Sequence, residues 1–167
     1  MKPNSIIKVT CLPLVLLLSC QGVAAPFSKG SHALSVIVGS GTSFNDDYVI
    51  LGGGYGYYVV DGLEIGIDAQ TWLSGDPSIT KISPQIKYVF TQPQAVKPYV
   101  GVFFRRTYID GLDDLDSTGY RAGLYFMPQK NFYFGGGVAV ENYSDCNESV
   151  YTDCSTTYPE ILFSFAL

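Results

Sequence analysis

Three observations predict an all-β chain that closes as an eight-stranded antiparallel up-and-down transmembrane β-barrel. Segments of alternating apolar and polar residues repeat from Ser31 to Leu167, each near the roughly 9–11 residues that a tilted membrane strand needs. Charged residues make up 15% of the chain and aromatic residues 14%, whereas a soluble surface usually wants roughly 25–35% charged side chains. The last stretch puts Ile161, Phe163, Phe165 and Leu167 on one side of a strand and Glu160, Leu162, Ser164 and Ala166 on the other. An aromatic-rich face that ends without a polar tail would be a poor edge in water; it suits a barrel wall that meets lipid.

The chain opens with an expected signal peptide, residues 1–24. Lys2 and Lys8 precede an apolar run from Val9 to Ser19 that is too short to span a bilayer, and Gly22 and Ala24 supply small residues for cleavage after Ala24. Leu17-Leu18-Ser19-Cys20 also reads as a lipoprotein signal that would acylate Cys20, and both readings stay open. Residues 25–167 are then one barrel domain. Losing Lys2 and Lys8 takes the formal net charge from −5 to −7, which excludes a basic nucleic-acid surface. No later apolar run approaches the length of a transmembrane helix.

The expected strands are Ala33–Phe44, Tyr48–Val60, Leu63–Leu73, Ile79–Phe90, Pro98–Ile109, Gly119–Met127, Phe132–Tyr143 and Thr156–Leu167. Their connections alternate in kind. Asp61-Gly62, Thr91–Lys97 and Pro128–Asn131 form one set, the first being a two-residue hairpin signal. Asn45–Asp47, Ser74–Ser78, Asp110–Thr118 and Ser144–Ser155 form the other, longer toward the C-terminus. In an up-and-down barrel the two sets occupy opposite rims. Asp46, Asp47, Asp76, Asp110, Asp113, Asp114, Asp116, Asp145, Glu148 and Asp153 fall in the long-loop set, with no Lys or Arg among them, while Lys29, Lys97 and Lys130 fall at the short-turn rim.

Each strand has one apolar and one polar face. Ile65 and Ile67 oppose Glu64 and Asp68; Ile82 and Ile86 oppose Lys81 and Lys87; Val102 and Phe104 oppose Phe103 and Arg105; Leu124 and Phe126 oppose Arg121 and Tyr125. If the polar faces point inward, Glu64, Asp68, Glu141 and Glu160 meet Lys81, Lys87, Arg105 and Arg121 in a balanced lumen network. Side chains can fill the interior of an eight-stranded barrel, so the lumen should be plugged. Tyr48, Tyr108, Tyr120, Tyr143 and Tyr158 are expected in a girdle at the long-loop rim, and Tyr57, Tyr88, Phe90, Phe126, Phe132 and Phe165 at the other.

With this architecture and the terminal Phe163-Ser164-Phe165-Ala166-Leu167, the chain resembles the small eight-stranded outer-membrane β-barrels of Gram-negative bacteria: the OmpX/Ail-like and OmpW-like groups and the barrel of OmpA. The resemblance covers residues 25–167. It implies location in the cell outer membrane, with lipid and lipopolysaccharide as surroundings. It also implies that Phe163, Phe165 and Leu167 carry the signal read by the barrel-assembly machinery, although Leu167 replaces the usual Phe and Glu160 stands where Gly is usual. A monomer is expected, with a structural or surface-interaction role toward a host or phage ligand. The alternatives are a narrow OmpW-like conduit for small hydrophobic molecules and a soluble lipocalin-like binder.

Other constellations refine this reading. Cys146 and Cys154 bracket one exported loop and are expected to form a disulfide. Asp110, Asp113, Asp114 and Asp116 form either a candidate divalent-cation loop or a solvated acidic loop; they lack EF-hand spacing. Gly52-Gly53-Gly54-Tyr55-Gly56 leads into more strand rather than a helix, so these glycines are expected to admit bulky neighbours or a bend instead of cradling phosphate. Pro84 should mark a bulge in the fourth strand. The resemblance implies that enzymes of this architecture use a histidine, and His32 alone is available, ahead of the first strand. No enzyme, cofactor or metal centre is expected.

Overall fold

The computed structural model describes residues 25–43, 46–92, 96–129, 131–144 and 154–167. Eight strands follow in order: β1 (His32–Ser43), β2 (Asp46–Val60), β3 (Leu63–Leu73), β4 (Ile79–Val89), β5 (Val96–Ile109), β6 (Leu115–Phe126), β7 (Phe132–Tyr143) and β8 (Ser155–Ala166). Each pairs antiparallel with its sequence neighbours, and β8 returns to β1 to close the barrel. The chain end takes part in the closure: the Leu167 and His32 backbones exchange hydrogen bonds of 2.9 and 3.2 Å. The expected signal peptide lies outside the described residues.

The alternation sorts side chains as the membrane reading requires. Ile65, Ile86, Val102 and Tyr120 are register partners across β3 to β6 and point outward, between 50% and 58% exposed. Glu64, Lys87 and Arg121 stand on the opposite face, at most 5% exposed. This geometry contradicts the soluble lipocalin-like alternative, whose apolar rows would fill the core.

Local sequence explains most boundaries, and several shift from expectation. The two-residue Asp61-Gly62 turn joins β2 to β3, with Gly62 at φ 78° and a register shift between Tyr58 and Val60. β6 begins at Leu115 rather than Gly119, which reduces the third long loop to residues 110–114. Gly111 turns the chain there at φ 76°, Leu115 packs on the apolar cluster beneath, and Asp116 pairs with Arg106. Pro84 makes no bulge. The β3–β4 register runs through Ile67↔Pro84, and the β4–β5 register is the same on either side of Ser83 and Pro84, where it is interrupted. Without an N–H, Pro84 forfeits a ladder bond but adds no residue to the strand.

Glycines create the space that large inward side chains occupy. A Cβ at Gly137 would collide with the Tyr99 hydroxyl and stand 2.6 Å from the Ala122 carbonyl, whereas one at the outward Gly136 meets nothing within 4 Å. Overpacking of this kind costs about 1–3 kcal/mol. We therefore expect Gly137→Val to lower the urea unfolding midpoint in lipid vesicles or to block folding, and Gly136→Val to leave it unchanged. Equal midpoints for the two variants would refute this account of the lumen.

Candidate functional site

The lumen is stacked in tiers. At the short-turn end Tyr58, Tyr99, Tyr125 and Tyr133 point inward around Phe27, which is 1% exposed. The Phe27 ring lies 4.7 Å from that of Tyr133 and 5.8 Å from that of Tyr58. Phe27 belongs to the segment ahead of β1 and takes a left-handed backbone conformation, φ 67°, uncommon for a bulky residue. Its segment is latched to the barrel: the Gly62 N–H donates to the Phe27 carbonyl at 2.7 Å, and the Gly30 N–H donates to the Tyr58 carbonyl at 2.8 Å. The sequence reading missed this plug. Its one signal was an isolated aromatic between Pro26 and the first strand.

Charge fills the middle. Lys87 Nζ lies 3.0 Å from Glu64 Oε1. Higher up, Arg121 bridges Asp68 at 3.1 Å and Glu160 at 3.7 Å, while the Gln85 amide and the Tyr99 hydroxyl donate to the same two carboxylates. Higher still, Glu141 receives Arg105 at 2.7 Å, Lys81 at 3.5 Å and the Ser117 hydroxyl at 2.6 Å, and the Tyr158 hydroxyl joins Arg105. Arg105 also donates through Nε to Ser83 Oγ at 2.7 Å. The Phe103 ring packs against both guanidinium groups, 4.5 and 4.9 Å from its centroid. All eight residues are buried and fall into three ion-paired groups at successive levels, four acids and four bases in all. Tyr48, Ile50, Trp72, Ile79 and Ile109 form an apolar lid above it, with Lys81 Nζ 4.3 Å over the Trp72 ring.

Three members of the expected long-loop girdle belong to the lumen side instead: half-buried Tyr143, the register partner of buried Ser117, and two more. Tyr48 and Tyr158 are buried, Tyr48 donating to the Pro77 carbonyl at 3.1 Å, because their strand parity points inward. Tyr108 and Tyr120 face out, as do Tyr57, Tyr88, Phe90, Phe126 and Phe165 at the other rim. Phe163, Phe165 and Leu167 line the outer wall, with Phe165 5.2 Å from Phe132. His32 touches Tyr55 and Tyr57 on the outer face, Nδ1 2.5 Å from the Tyr55 hydroxyl.

The four candidate cation ligands are not gathered. Asp110 and Asp113 are exposed, while Asp114 and Asp116 engage Arg106 at 3.2 and 3.7 Å. Among the described residues no group of three or more His, Cys, Asp or Glu is arranged to hold a metal ion. Cys154 is disulfide-bonded. Cys146, its expected partner, lies outside the described residues, as do Asp145, Glu148, Asp153 and Lys130.

Removing one member of a buried ion pair strands the other and costs about 3–5 kcal/mol, whereas replacing the whole set by apolar residues is often neutral. Arg121→Met is therefore expected to destabilise the barrel by that order in urea titrations. Adding Asp68→Leu and Glu160→Leu should recover most of the loss. A single variant as stable as the parent would show that the network is not coupled as drawn.

No family model and no curated protein matches the sequence. Solved structures match its shape. The N-terminal β-barrel domain of Pseudomonas aeruginosa OprF superposes with a TM-score of 0.68 at 15% identity, covering 83% of this chain and 98% of that one. A de novo designed transmembrane β-barrel gives 0.59 at 18% identity, over 84% and 98%. The Yersinia pestis outer-membrane protein Ail gives 0.55 at 13% identity, over 83% and 100%. The chain is a closed eight-stranded antiparallel barrel of the transmembrane type, structurally similar to the small outer-membrane β-barrels.

Proposed function

We propose that the protein is a plugged barrel of the bacterial outer membrane whose role is structural or interactive rather than catalytic or conductive. The observation that carries this reading is the lumen itself. An aromatic plug, an ion-paired middle and an apolar lid occupy successive levels, so a solute would have to displace coupled buried charges to pass. This weighs against the conduit alternative. The outward apolar rows suit lipid and lipopolysaccharide, and the acidic outer loops are the parts left to meet a host or phage ligand. Ail is named an attachment invasion locus protein; at 16% identity that name is a precedent for surface interaction, not a transfer of it.

The same reading makes residues 1–24 a cleaved signal, Cys146–Cys154 a disulfide that compacts the last loop, and Phe163, Phe165 and Leu167 the recognition edge for the assembly machinery. It needs one copy of the chain and no cofactor. The test is to express the chain in a Gram-negative host. We expect recovery in the outer-membrane fraction, heat-modifiable migration in detergent gels, and no stepwise conductance in planar bilayers. Sustained single-channel conductance would overturn the plugged reading, and recovery as a soluble periplasmic protein would overturn the membrane reading.

A further inference from the structure

The ladder of the wall falls short in two places. β1 and β8 share six residue pairs, from Ala33↔Ala166 to Val38↔Ile161, where every other strand pair shares nine to twelve. The second place is the interruption at Ser83 and Pro84 between β4 and β5, and it adjoins a groove of about 610 Å³. Register fixes where that groove runs. Ile65, Ile86, Val102 and Tyr120 are successive partners in one outward row. Pro84, Phe104, Thr118 and Asn142 belong to the next outward row toward the long-loop rim. Both rows line the groove. Between them lie the partners Gly66, Gln85, Phe103 and Gly119. Strand parity turns these four inward, so they give the groove a floor of backbone.

The groove therefore crosses the lipid-facing wall along the hydrogen-bonding direction, from β3 to β7. Four inter-strand spacings make it roughly 19 Å long. With strands tilted by about 35–45°, it climbs by roughly 12 Å toward the long-loop rim, most of the roughly 15 Å depth of one leaflet. Its lower end, at Ile65 and Ile86, has the outward apolar side chains of Leu63, Ile67 and Tyr88 around it. Its upper end is polar. Thr118 and Asn142 are register partners there, and both are exposed. Asp116, the next outward residue up β6, pairs with Arg106, so hydrocarbon ends just above Thr118. The rings of Phe104 and Tyr120 stand on opposite sides of the channel and wall its upper half.

A channel one leaflet deep, apolar along its length and polar at its outer end, has the shape and polarity of a single lipid chain entering from the outer leaflet. The polar end narrows the chemistry. The Thr118 hydroxyl and the Asn142 amide each donate and accept. An amide or hydroxyl in the ligand satisfies both roles, whereas an ester only accepts. No charged side chain is among the described residues lining the groove, so recognition falls on this neutral group. We propose that the groove is a binding site for one alkyl chain of an outer-leaflet lipid, with an amide or hydroxyl near its head held by Thr118 and Asn142. The site rests on the lipid-facing reading of the wall but not on the absence of conductance.

The full-length mature protein, folded in dilauroylphosphatidylcholine vesicles, is irradiated with N-palmitoylethanolamine or ethyl palmitate, each carrying a diazirine at the chain end. Mass spectrometry then maps the adducts. The amide should label the peptides holding Ile65 and Ile86, saturably and in competition with unlabelled N-palmitoylethanolamine. Half-saturation should need at least about tenfold less amide than ester, a difference of about 1.4 kcal/mol. Val102→Phe, or Ile86→Trp should the first fail to fold, fills the channel and should abolish the saturable labelling. Val36→Phe, outward on β1, should leave it unchanged. Thr118→Val combined with Asn142→Leu should bring amide and ester together. Adducts spread evenly around the barrel, equal half-saturation by both probes, saturable labelling unchanged in both filling variants, or an amide preference that survives loss of both polar side chains would overturn the site. If any of these occurs with heat-modifiable migration intact, the site fails while the barrel reading stands; loss of vesicle insertion fails both.

Discussion

Lipid on the outside of a narrow barrel decides where charge can go. Hydrocarbon accepts no ionised side chain cheaply, and the strand period sends every second residue inward, so the few charges of the transmembrane strands collect in a lumen about wide enough for side chains alone. There they must neutralise one another. Glu64 with Lys87, Arg121 with Asp68 and Glu160, and Glu141 with Arg105 and Lys81 meet that requirement from six different strands. The pairs therefore link parts of the wall that backbone hydrogen bonds do not join directly, since β3 and β6 are not neighbours and Arg121 ties them.

A network of this density needs space, which the backbone supplies. Gly54 and Gly56 on β2 leave room for Asp68 and Glu64, and Gly123 and Gly137 leave room for Tyr99. Large and small residues alternate around the lumen so that a ring or guanidinium group from one strand lies over a bare backbone on another. The same economy explains why an eight-stranded wall can enclose four tyrosines and a phenylalanine at one end without bursting. The chain's own N-terminal segment completes that end, so Phe27 caps a stack that the strands only begin.

Loops and rim follow a different logic. Outside the hydrocarbon, acids are free to be solvated, and Asp110 and Asp113 are so placed. Where a base is within reach the acids pair instead, as Asp114 and Asp116 do with Arg106, and that pairing extends the β5–β6 hairpin upward. The incomplete β1–β8 seam belongs to this outer half too. Closing a barrel demands one last ladder between strands far apart in sequence, and Pro159 limits how far it can run.

Period-two alternation, turn residues and charge sorting were enough to read eight strands, their antiparallel order, the inward face and the eight members of the ion network, because each depends only on parity along a strand and the cost of charge in lipid. Parity also shows that Tyr48, Tyr143 and Tyr158 point inward; assigning them to a girdle by height alone was the error. What no local pattern carries is distance between strands remote in sequence. The partners of each charge, the seating of Phe27 beneath four tyrosines, the early start of β6 at Leu115 and the gap above Val38↔Ile161 arise only when closure brings β1 to β8 and fixes which side chains share a level. Alternation states which face a residue takes; the curvature and register of the closed sheet state what it meets there.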